Sequence, residues 1–110
     1  MHTVTFTLAD DFCWDTYVRD VHEHIVCASR PIHVIWDLAG MTRLPPMSVV
    51  IKQAQLMRTE RDAVRRNIVT NTVILHSASL KSTLAWVFDN IYAPQSPTKM
   101  FTFEEWKALG

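Results

Sequence analysis

The heptapeptide Ile32-His33-Val34-Ile35-Trp36-Asp37-Leu38 decides the fold. Apolar residues, two of them β-branched neighbours, fall on both faces of an extended chain, which suits a central strand covered by helices on both sides or by a helix and a loop. Pro31 stands directly before it and halts any preceding helix. Gly40 and the Pro45-Pro46 pair follow and mark a loop.

Upstream, Val4, Phe6 and Leu8 alternate with Thr3, Thr5 and Thr7, the period of a half-buried strand. From Asp11 the period changes. Trp14, Tyr17, Val18, Val21, Ile25 and Ala28 recur at three and four, predicting an amphipathic helix that ends near Ser29, with Asp10 and Asp11 at its positive end. Downstream, a helix is predicted from Pro46 to about Arg66, with Val50, Ala54, Met57 and Val64 facing inward. Ile68–Leu75 reads as the next strand. Leu80, Leu84, Val87, Phe88 and Ile91 form a helical stripe behind the cap candidates Ser77 and Ser79, and Pro94 ends it. Pro97–Phe101 reads as a short strand, and Thr102-Phe103-Glu104-Glu105 as a capping box opening a terminal helix. The order β-α-β-α-β-α-β-α implies an α/β fold: a four-stranded, mainly parallel sheet with helices packed on it through right-handed crossovers.

The chain of 110 residues suits one domain, residues 1–110. With 48% hydrophobic and 20% charged residues it can bury a core, and two glycines leave little room for a phosphate-cradling loop. Net charge is zero but uneven. Residues 1–44 are acidic by three charges, whereas residues 45–75, with Lys52, Arg58, Arg61, Arg65 and Arg66, are basic by three. That is too little to predict nucleic-acid binding. Cys13 and Cys27 fit neither a zinc framework nor a disulfide, and are expected as reduced thiols at buried or half-buried helix positions of a cytoplasmic protein. No leader-like or membrane-spanning apolar run is visible.

Val34-Ile35-Trp36-Asp37-Leu38-Ala39-Gly40-Met41 resembles the strand and "DLSGV" loop of STAS (anti-sigma-factor-antagonist-like) domains. Val73-Ile74-Leu75, the Ser-rich turn, the aliphatic helix and Pro94–Glu105 resemble the end of small SpoIIAA-like proteins of the STAS/SEC14 type. The likeness spans roughly residues 30–108 and implies a non-enzymatic interaction or regulatory module. Such antagonists carry a phosphorylatable serine at the start of the second helix. Here Met47 stands at that place, so the resemblance implies a module without the usual switch, with Ser48 and Thr42 as the nearby hydroxyls. The SEC14 side of the resemblance implies the alternative, a hydrophobic-ligand or lipid-binding module.

His22-Glu23-His24 puts its two histidines on different helix faces, unlike metal-binding i, i+4 pairs. His33 and His76 read as structural, and Asp37 as a turn residue bonding loop amides. No nucleophile, base and oxyanion set is visible, so neither enzymatic activity nor a cofactor is expected. The resemblance makes the 39–48 loop and the second helix the docking surface. Lys52, Arg58, Arg61 and Arg65 would there meet an acidic protein partner or an anionic lipid headgroup. Trp86 lies off the core stripe beside Tyr92 and would suit an interface, unless Phe103 and Trp106 fold back over it. Self-association through that surface or through an uncovered edge strand is the remaining partner expectation.

Overall fold

The alternating Thr and apolar residues of the N-terminus and the Ile32 stretch do form neighbouring strands. The computed structural model describes residues 2–110, with β1 (His2–Ala9), β2 (Ile32–Gly40), β3 (Ile68–Leu75) and β4 (Thr98–Thr102) in one sheet of order β1-β2-β3-β4. Every neighbouring pair is parallel. Helices α1 (Trp14–Val21), α2 (Met47–Thr59), α3 (Arg61–Asn67) and α4 (Ala78–Asn90) fill the crossovers, and α5 (Phe103–Leu109) ends the chain.

A strand order without reversal makes every right-handed crossover step the same way, so α1 to α4 all return over one face. The register agrees. Phe6, Trp36, Val73 and Met100 form one row on the helix side, while Thr5, Ile35, Thr72 and Lys99 form a row on the other. Phe6, Ile32, Val34 and Ile68 pack against Tyr17, Val21, Ile25 and Val64 as the core. The expected cover on both faces of β2 is therefore corrected: Ile35 and Asp37 are only half-buried. α5 shields the β4 side alone, where Trp106 meets Phe101 with ring centroids 5.6 Å apart.

Two helices depart from their predicted course. The first starts at Trp14 and ends in a π-helical turn, His22–Val26, in which the Cys27 amide reaches back to His22 O at 2.9 Å. Val21 and Ile25, before and within that turn, are both wholly buried. Asn67 Nδ2 donates to Ile25 O at 2.8 Å, giving a carbonyl at the turn's end a partner. The helix predicted over 46–66 breaks at Glu60, whose φ of −99° and ψ of 21° leave the helical region. The break lets α3 settle on β3 and the π-turn. The predicted caps are present: Ser77 Oγ accepts from Leu80 N at 3.3 Å, and Thr102 and Glu105 close a reciprocal capping box. Among the described residues no helix is long and apolar enough to cross a membrane.

Candidate functional site

A half-enclosed cavity of about 160 Å³ lies between α2 and the sheet. Trp36 and Val73 form the floor, Tyr17 and Phe88 stand on opposite walls, and Val50 with Met57 closes the roof. Leu44 and Pro45, from the loop before α2, complete that roof. None of the lining side chains is charged. The most exposed of them, Ala93 and Gln95, lie in the loop after α4, where Arg65 Nη2 donates to Gln95 Oε1 at 3.1 Å. Arg65, predicted as a docking residue, thus sits at the cavity's rim.

Two polar groups interrupt the apolar lining. On the floor, Trp36 Nε1 donates to Asn71 Oδ1 at 2.9 Å, Asn71 Nδ2 donates to Thr98 Oγ1 at 3.3 Å, and Thr98 Oγ1 donates to Ser96 O at 2.9 Å. Under the roof, Tyr17 Oη donates to Gln53 Oε1 at 2.7 Å, and the Tyr92 hydroxyl lies beside the same amide. Burial lifts the Tyr17 and Tyr92 hydroxyls above the usual tyrosine range, so both keep their protons. An apolar recess with a few convergent polar groups is the usual build of a small-molecule site. Sequence reasoning missed Gln53 and Asn71, and set Tyr92 beside Trp86 at an interface instead of in the cavity. Signals existed: Gln53 interrupts the inward stripe of α2, and Asn71 occupies an inward strand position in phase with Val73 and Leu75.

The other predicted residues lie elsewhere. Thr42 Oγ1 donates to Asp10 Oδ2 at 2.7 Å and the Thr42 amide donates to Asp10 Oδ1 at 3.0 Å, so this hydroxyl is already engaged. Asp10 thereby anchors the 41–46 loop and does not begin a helix. Met47 and Ser48 are exposed in the first turn of α2. Lys52, Arg58, Arg61 and Arg65 are all exposed, but the Glu60 break divides them between two helices. Lys52 Nζ lies 6.0 Å from the centroid of the Trp14 ring. Trp86 is 52% exposed, and Trp106 packs on Phe101 at the far side of the sheet. Tyr92 turns away from Trp86, packs edge-on against Phe88 and faces the cavity.

Asp37 Oδ1 accepts from Ala39 N at 3.1 Å, the turn role read from sequence. His33 pairs with Thr70 near the start of β2, and His76 with Ala39 O beyond the end of β3, so the two histidines do not converge. Asp20, Glu23 and His24, without His22, bring ligand-type atoms within 4.8 Å of one another on the surface of α1 and its π-turn. Both cysteines are free as expected, yet exposed where burial was predicted. Cys13 directly precedes α1, where hydrogen bonds from the Thr16 amide and hydroxyl lower its thiol from the ordinary value. Compared with protein-family models, curated proteins and solved structures, the chain has no significant match.

Proposed function

We propose that this chain is a non-enzymatic, cytoplasmic binding module on a STAS/SEC14-like scaffold that takes a small apolar molecule between its sheet and its helices. The cavity under α2 carries this reading. Titration of the intact chain with N-phenyl-1-naphthylamine tests the reading: fluorescence should rise saturably, and Val50→Phe should abolish the signal while raising Tm. A dye response absent from the wild type, or unchanged in Val50→Phe, would refute it.

A protein-docking role without the phosphoserine switch is the second reading, favoured by the exposed Lys52, Arg58, Arg61 and Arg65 and by the solvent-facing Trp86. Here Arg58→Glu with Arg61→Glu should weaken binding to an acidic polypeptide such as poly-glutamate and leave dye binding intact. Equal poly-glutamate binding by both forms would remove that surface from consideration.

A further inference from the structure

The geometry points to a ligand class: a neutral, one-ring molecule bearing a single oxygen acceptor, its ring over Trp36 and its oxygen at Tyr92. This deepens the cavity reading above and rests on it. Four observations converge on that chemistry.

Size comes first. A cavity of about 160 Å³ is close to the ~150 Å³ at which an apolar cavity holds one benzene-sized guest. Charge comes second. With no charged side chain in the lining, a carboxylate or ammonium within the cavity would lose its hydration with no counter-ion in return. Third, the rings of Phe12, Trp14, Tyr17, Trp36, Phe88 and Tyr92 border the space, and aromatic faces and edges favour another ring in offset or edge-on contact.

The fourth observation orients the guest. The floor chain Trp36–Asn71–Thr98–Ser96 is closed: each donor has its acceptor and little hydrogen-bonding capacity is left. The roof group differs. Gln53 Oε1 accepts from Tyr17, and the same amide hydrogen-bonds the Tyr92 oxygen, which leaves the Tyr92 hydroxyl proton as the donor for a guest in the cavity that Tyr92 lines. A donor on one side of an otherwise apolar recess calls for one acceptor oxygen, as in an aryl ketone, an aryl ether or a phenol.

Three probes of similar shape decide the matter on the intact chain: acetophenone, α-methylstyrene, which replaces its carbonyl by a methylene, and benzoate. By calorimetry, acetophenone should bind about threefold to tenfold more tightly than α-methylstyrene, the worth of one net hydrogen bond. Tyr92→Phe should narrow that ratio toward one, with thermal unfolding confirming that the variant is folded. Equal affinity of the two neutral probes would overturn the oxygen anchor while leaving the cavity reading standing. Tighter binding of benzoate, lost in Arg65→Gln, would overturn neutrality and place an anionic head at the rim. Failure of all three to bind would sink the cavity reading together with the ligand class.

Discussion

Asp10 and Thr42 show how a single side chain ties distant segments together. The Thr42 hydroxyl and amide both donate to one carboxylate, and these bonds hold Asp10 below its ordinary value of 3.8. A depressed acid contributes its stabilisation above the unfolded-state pKa and loses it as pH falls through the folded value. The 41–46 loop should therefore be anchored at neutral pH and loosen below pH 3.8, seen as faster amide exchange at Thr42; Asp10→Ala should show that exchange already at pH 7. Asn67 acts similarly in the interior. Only 5% exposed, it serves the carbonyls of Ile25 and Val26 at the end of the π-turn. Asn67→Leu removes those donors from a buried place and should cost about 2 kcal/mol in urea unfolding. An unchanged midpoint would show that the turn holds itself. Nothing in the local sequence announces Asn67, because its partner lies 42 residues away.

Among the elements, the caps were legible and the breaks were not. Ser77 and Thr102 cap the helices that their neighbours suggested, since a cap is a contact between residues three apart and needs no distant partner. Thr102→Ala should destabilise the chain by about 1 kcal/mol and free Trp106 from Phe101, read as a shift in tryptophan fluorescence. Unaltered fluorescence would mean that α5 is held by packing alone. The π-turn and the Glu60 break answer to tertiary contacts: Asn67 bonds the Ile25 carbonyl at the turn's end, and Val64 joins Val21 and Ile25 in the core. A smooth apolar period carries no mark of either.

At the scale of the whole molecule, strand order governs the rest. With helices α1 to α4 on one face, the far side of β1, β2 and β3 is a threonine-rich surface in which Thr5, Ile35 and Thr72 form one row. Its polarity guards a sheet that otherwise offers a flat face and an unpaired β1 edge to other chains. Thr5→Ile with Thr72→Ile would build a three-isoleucine row and should drive concentration-dependent association in analytical ultracentrifugation without changing the far-ultraviolet dichroism. A double variant that sedimented as the wild type does would show that the face needs no such protection. The same one-sided layering frames the cavity, since three crossovers share one surface and α1, α2 and α4 all contribute to its lining.

By itself the sequence determined the alternation of strands and helices, the parallel class of the sheet, the caps and the Asp37 turn, because each depends on periodicity or on neighbours a few residues apart. Only the tertiary structure decided that the helices between strands cover one face of the sheet, that Cys13 and Cys27 are exposed, that Tyr92 turns inward, and that Gln53 and Tyr17 meet across 36 residues. Strand order and the seating of each helix arise from competition for the same apolar surface. That competition is settled among residues far apart in the chain, so no local pattern records its outcome.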